Sequence, residues 1–164
     1  METKGFIGKN ILITGASKGL GRMCANSFEK NGANILACGR NNNDLIKLID
    51  SFEKPNNHKV FTGDLTNIKK IKELIESIKA FGSLDVILHI MGGGLGKHKP
   101  LLNQVDFDLL IKTNLSVGAE LNRLLIPSMI KKGRGNVLHV GSTASTQAMA
   151  SVGYNTVKAA VAAY

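Results

Sequence analysis

A chain of 164 residues with 43% hydrophobic and 20% charged residues is long enough to bury one globular core and short for two domains. A net charge of +9 raises nucleic acid and membrane surfaces as partners, but the lysines are dispersed, and six phenylalanines, two tyrosines and no tryptophan leave little to stack on bases, so neither is expected. Cys24 and Cys38 are too few for a disulfide framework, His58, His89, His98 and His139 form no ligand cluster, and neither a leader-like apolar stretch nor a run of about 18 apolar residues occurs, so a cytoplasmic protein without a metal is expected.

The chain opens with a short apolar run, KNILIT at residues 9–14, followed by TGASKGLG. Residues 20–32, LGRMCANSFEKNG, have helical spacing, and ANILAC at 33–38 reads as a second strand. GRNNND at 39–44 suits a turn and a helix cap. HKVFTG at 58–63 is a third strand, and in residues 67–81 Ile68, Ile71, Leu74, Ile75 and Ile78 make one apolar stripe with charge opposite, so the lysines there read as a solvated face. LDVILHIMG and GNVLHVGS are the fourth and fifth strands, separated by long helical segments around residues 105–133, and a last helix starts near Ser151. Gly32, Gly82 and Gly135 stand where helix-ending glycines stand. This alternation predicts an α/β fold: a Rossmann-like, doubly wound parallel sheet of about five strands with helices on both faces, one nucleotide-binding domain over residues 1–164.

Gly15, Gly19 and Gly21 fall at the first strand-to-helix turn, where missing side chains let backbone amides approach a pyrophosphate at a helix N-terminus. Their TGxxxGxG spacing resembles that of the short-chain dehydrogenase/reductases, and the resemblance runs from about Ile7 to Tyr164. It implies a dinucleotide held by Gly15, Ser17, Lys18, Gly19, Leu20 and Gly21. NAD-preferring sites carry an acidic residue at the end of strand two; ACGRN has none before Arg40, and Arg40 with Lys18 resembles an NADP pocket, or is a pair of exposed cations. NADP(H) is therefore the expected cofactor, with NAD(H) the alternative. Asp64, by its carboxylate, and Leu65, by its backbone, match the family's adenine-contacting position; an Asp there is also an ordinary helix cap.

After strand four the family carries Asn-Asn-Ala-Gly, and this chain has HIMG, residues 89–92. Gly92 keeps the close approach to the cofactor, while His89 replaces the bracing asparagine, so altered bracing is expected. The loop GGGLGKHKP is short of side chains; it is expected to be mobile and to border the substrate cleft, or to be a plain connection.

Tyr154 and Lys158 stand four residues apart, on one helix face, which alone is either decoration or an acid with its tuning cation. A phenol of ordinary pKa near 10 needs a positive neighbour to work near neutrality. The resemblance assigns Tyr154 as proton donor, Lys158 as the holder of the nicotinamide ribose, Ser142 as the hydroxyl steadying the substrate carbonyl, and Asn114 as the residue that disturbs its helix and holds a relay water; Tyr154 and Lys158 thus count as cofactor contacts too. The expected function is NADPH-dependent transfer of hydride between the cofactor and a carbonyl or alcohol, as in the family's 3-oxoacyl-acyl-carrier-protein reductase-like members. The alternative is a dinucleotide-binding sensor or scaffold without chemistry. In the family further strands and a substrate lid follow the tyrosine helix, so the chain is expected to be C-terminally incomplete, with an exposed sheet edge. A homodimer or homotetramer is expected of the full-length protein, with Val157, Val161 and Tyr164 as an apolar stripe at its interface.

Overall fold

The computed structural model describes residues 5–164; residues 1–4, part of the N-terminal stretch considered above for a leader, lie outside the described residues. Five strands alternate with six α-helices among them: β1 (Asn10–Thr14), α1 (Gly19–Lys30), β2 (Asn34–Gly39), α2 (Asn42–Asp50), β3 (Lys59–Thr62), α3 (Ile68–Phe81), β4 (Val86–His89), α4 (Gln104–Ile111), α5 (Val117–Lys132), β5 (Asn136–His139) and α6 (Val152–Ala163). All pairings are parallel, in the order β3-β2-β1-β4-β5. The chain thus winds outward from β1 in one direction and then in the other, which opens a crevice beyond the C-terminal ends of β1 and β4.

Strand alternation splits the core into two layers. Ile11, Ile13, Ile35, Ala37, Val86 and Leu88 face Ala25, Leu45 and Leu48 of α1 and α2. Leu12, Leu36, Cys38 and Ile87 face Ile71, Leu74 and Ile78 of α3 and Val117, Leu121, Leu125 and Met129 of α5. The side chains of β1, β2 and β4 are buried on both faces, the reason these segments read as unbroken apolar runs. β5 is different. It lies at an edge of the described sheet with Leu138 47% exposed, in line with the expected open edge.

Polar side chains set most helix starts: Asn41, Asn67, Asn103 and Ser151 accept hydrogen bonds from first-turn amides of α2, α3, α4 and α6. Asn41 bears out the turn and cap expected of GRNNND. α1 has no such cap; Lys18 precedes it in extended conformation with no side chain on the first-turn amides. Between α4 and α5 a π-helical turn covers Lys112–Ser116.

Three expectations are corrected. α5 ends on Gly133, in the left-handed region at φ 73°, and not on Gly135, which is a close-packing site: a Cβ there would lie 2.6 Å from Met129 Sδ. Ile68, the first residue of α3, is 53% exposed, and the buried stripe begins one turn later at Ile71. Val157 and Val161 are buried within this chain, so they offer no free stripe to a second copy.

Candidate functional site

The loop after β1 is shaped by close approaches. Gly15 has φ 75°, and a Cβ on it would stand 3.0 Å from the Met91 backbone nitrogen, so the turn leaving β1 lies directly against the segment leaving β4. A Cβ on Gly21 would overlap the Gly15 carbonyl oxygen, so the loop folds onto the first turn of α1. The Ala16 amide donates to Cys38 O at 2.9 Å, carrying Ser17 and Lys18 to the end of β2. Thr14 Oγ accepts from the amides of Ile90 and Met91 at 3.2 and 3.3 Å and fixes the other lip.

Between these lips lies a cavity of about 540 Å³. Of the cofactor residues expected from sequence, Gly15, Ser17, Lys18, Arg40, Asp64, Leu65 and Gly92 line it. Gly19, Leu20 and Gly21 do not; they form the uncapped first turn of α1 that closes the loop. Ile90, Met91 and Leu109 are among the other lining residues and were not singled out in the sequence, because apolar residues after a strand and along a helix carry no mark of a cleft. Neither Lys18 nor Arg40 has a carboxylate within ion-pair distance among the described residues. Asp64 accepts from the Thr66 amide at 2.9 Å and the Thr66 hydroxyl at 2.8 Å, the geometry of a capping turn. The Thr66 amide bond holds its carboxyl below the usual range against the cost of burial, with the Thr66 hydroxyl, Arg40 and Lys112 adding to the effect.

The second cluster lies where β5, the π-turn and α6 meet. Lys158 is buried and donates from Nζ to Val140 O at 2.7 Å, with Nζ 5.8 Å from the centre of the Tyr154 ring. Burial pushes the Lys158 ammonium below its ordinary value. Ser142 Oγ accepts from the Ala144 amide at 3.1 Å, which caps a short 3₁₀ turn and leaves the hydroxyl proton free to donate. Asn114 is buried inside the π-turn: Oδ1 accepts from the Gly93 amide at 2.8 Å, and Nδ2 donates to the carbonyls of Gly93 and Leu110, both at 3.0 Å. Both Nδ2 protons are therefore committed, and the side chain clamps the glycine loop to the helix. A Cβ on Gly92 would fall 2.6 Å from Asn114 Oδ1, so that glycine is required by the clamp.

The loop expected to be mobile is tied near its start by Asn114 at Gly93 and in its middle by a 2.7 Å ion pair from Lys97 to Asp106. It borders Tyr154, whose Cβ would stand 3.9 Å from a Cβ placed on Gly94. His89 does brace, though differently from an asparagine: its Nε2 meets Asn122 Oδ1 at 2.9 Å, and its ring stacks on His139 at 4.3 Å. Asn122 escaped the sequence reading, since its partners are brought to it only by strand register.

Residues 9–164 match the family model described as short chain dehydrogenase. The chain belongs to the short-chain dehydrogenase family. Within this family it is 31% identical over 142 residues to an NADP-dependent 3-hydroxy acid dehydrogenase, YdfG, of Salmonella typhi, covering 83% of this chain and 55% of that protein. It is 29% identical over 144 residues to the 3-oxoacyl-[acyl-carrier-protein] reductase FabG of Escherichia coli K12, covering 86% of this chain and 57% of the relative. The structure of 7α-hydroxysteroid dehydrogenase complexed with NADH and 7-oxo glycochenodeoxycholic acid superposes with a TM-score of 0.90 at 26% identity, over 98% of this chain and 64% of that one. The Rossmann-like sheet is thus the family's fold, and the chain spans about half the length of the curated relatives it matches. Among the described residues no helix is long and apolar enough to cross a membrane, and no group of three or more His, Cys, Asp or Glu is placed to hold a metal ion.

Proposed function

We propose that this chain is the cofactor-binding and proton-handling portion of an NADP(H)-dependent oxidoreductase acting on a small carbonyl or alcohol. The observation that carries the reading is the joint presence of two features joined by the Gly92–Gly94 segment: Lys18 and Arg40 on a glycine-shaped cavity that Gly92 also lines, and Lys158 seated beside the Tyr154 ring, which Gly94 approaches. The residues fit a dinucleotide. The turn of Gly15 and Gly21 has no room for side chains, no side chain caps the α1 amides among the described residues, and Lys18 and Arg40, with no ion-pair partner among those residues, are cations suited to a 2′-phosphate. Asp64 would face the adenine, and Lys158 and Tyr154 the nicotinamide ribose. NADP(H) is preferred over NAD(H) because no carboxylate ends β2.

The bound cofactor supplies or accepts hydride. The protein's own work is at the carbonyl oxygen. Tyr154 delivers a proton from its hydroxyl, and the free Ser142 hydroxyl proton donates to the same oxygen as charge develops. Lys158 places its charge 5.8 Å from the centre of the Tyr154 ring, and its own burial keeps water from screening that charge. In the oxidative direction Tyr154 is the base. Asn114 holds the Gly93 loop over this centre; a water relay to Lys158 would use the remaining Oδ1 lone pair or the carbonyls of the π-turn.

A 3-oxoacyl thioester is the first substrate class to test, on the 29% identity to FabG. The free thiols of Cys24 and Cys38 support a reducing, cytoplasmic setting, and we expect a homo-oligomer for the full-length protein. The test is Tyr154→Phe in the full-length protein: NADPH binding, read by quenching of nicotinamide fluorescence, should persist while turnover on a carbonyl panel falls by about 1,000-fold or more. Retained turnover would refute the assignment, and binding without turnover in the wild type would make the protein a sensor.

A further inference from the structure

His89 and His139 are register partners across β4 and β5, and their rings stack at 4.3 Å with planes 26° apart. Asn122, one turn into the sheet-facing side of α5, reaches both. Its Oδ1 lies 2.9 Å from His89 Nε2, and its Nδ2 lies 3.0 Å from His139 Nε2 and 3.1 Å from the Tyr164 hydroxyl. An amide oxygen only accepts and an amide nitrogen only donates. His89 must therefore carry its proton on Nε2, and His139 must leave Nε2 bare and carry its proton on Nδ1. Turning the amide over would only exchange the two roles, so in either orientation one asparagine selects two complementary tautomers, and the orientation in the structure gives His89 the Nε2 proton.

The network is packed as well as bonded. A Cβ on Gly118, one turn before Asn122, would fall 2.9 Å from His139 Cε1, and Tyr164 meets the His139 ring edge-on at 5.5 Å. It also adjoins the proton-handling centre. Val140 follows His139, its amide donates to His89 O at 3.1 Å, and its carbonyl is the seat of Lys158 Nζ. Tyr164 closes the circuit, because it ends the helix that carries Tyr154 and Lys158.

We propose that Asn122 is a positioning residue: by locking His89 and His139 as neutral rings of opposite tautomer it fixes the end of β5 and so the Val140 carbonyl that seats Lys158. The role assigned to Lys158 rests on the functional reading above; the tautomer lock does not. The charged and titratable groups facing the pair are Lys158 from α6, which opposes a charge on His139, and His139 itself, which opposes one on His89.

The test uses the full-length protein with isotope-labelled histidine and lysine, read by NMR. In the wild type at neutral pH the imidazole nitrogen shifts should show His89 protonated on Nε2 and His139 on Nδ1. Asn122→Leu should abolish this complementary pair and raise the Lys158 titration midpoint by about one pH unit as its seat loosens and water enters. Asn122→Asp, which keeps the shape, should move a proton to His139 Nε2 and raise the His139 titration midpoint, because a carboxylate only accepts and adds a negative charge beside the ring. Unchanged tautomers and an unchanged Lys158 midpoint in a folded Asn122→Leu protein would overturn the proposal. If that variant fails to fold, a His139 that titrates as in the wild type in Asn122→Asp would do so. None of these readings requires turnover, so an inactive wild type would count against the proposed function and leave the lock to be judged by NMR.

Discussion

His89 provides a stability test that needs no substrate. Burial pushes its pKa down from 6.5 to about 4, with the His139 charge assisting and the Asn122 bond opposing. Since the folded value lies below the unfolded one, the unfolded chain takes up the proton first. Stability contributed by neutral His89 is therefore complete above about pH 6.5, is lost as pH falls toward 4, and changes no further below that. At about pH 4.5 the difference in proton uptake amounts to about 2.5 kcal/mol from this one ring, at 1.36 kcal/mol per pH unit. Urea unfolding at about pH 7 and about pH 4.5 measures it, with His89→Gln as the variant whose amide nitrogen takes the place of Nε2 toward Asn122 and removes the titration. His58 and His139, both lowered by burial, destabilise at acid pH in the same direction and remain in the variant; His58 cancels in the comparison, whereas His139 stacks on residue 89 and its contribution is taken from its own titration in each protein. The wild type should lose about 2.5 kcal/mol more than the variant between the two pH values; equal losses within about 0.5 kcal/mol would refute the reasoning.

Arg40→Gln should weaken NADPH about 30-fold, the equivalent of about 2 kcal/mol for a charge-assisted phosphate contact, and leave NADH within about threefold; fluorescence titration with both cofactors decides it. Gly92→Ala drives a methyl group toward Asn114 Oδ1 and breaks the Gly93 amide bond, so urea unfolding should show a loss of about 1–3 kcal/mol, whereas Gly93→Ala, with nothing within 4 Å of its added Cβ, should pay only for its backbone conformation.

The strands were legible because β1, β2 and β4 are covered on both faces and must be apolar throughout, and glycines punctuate the run of elements. Seven of the positions expected from the sequence line one cavity, and several of them were legible for a related reason: turns that must come close to another backbone leave glycine at fixed places. The failures share a different cause. Gly133 and Gly135 are equally plausible stops after two lysines, and only the left-handed backbone at Gly133 separates them. Val157 and Val161 keep helical spacing whether they face a partner or their own chain. Asn122 meets residues 33, 17 and 42 positions away, and no local pattern marks a side chain whose partners are assembled by β4–β5 register and by the end of α6.

The π-turn at Lys112–Ser116 has a consequence for the rotation of the two helices it joins. A regular helix advances about 100° per residue, so one residue accommodated in a wider turn offsets the faces before and after it by about that angle. Because of the offset, α5 directs Val117, Leu121 and Leu125 at the sheet while α4 directs Leu110 at Gly153 of α6, where an added Cβ would meet Leu110 Cδ1 at 2.6 Å. Deleting a single residue between 112 and 116 would make one straight, well-formed rod and turn Leu110 away from the helix that carries Tyr154 and Lys158. The irregular turn is what lets one rod serve both the sheet and the helix that carries Tyr154 and Lys158.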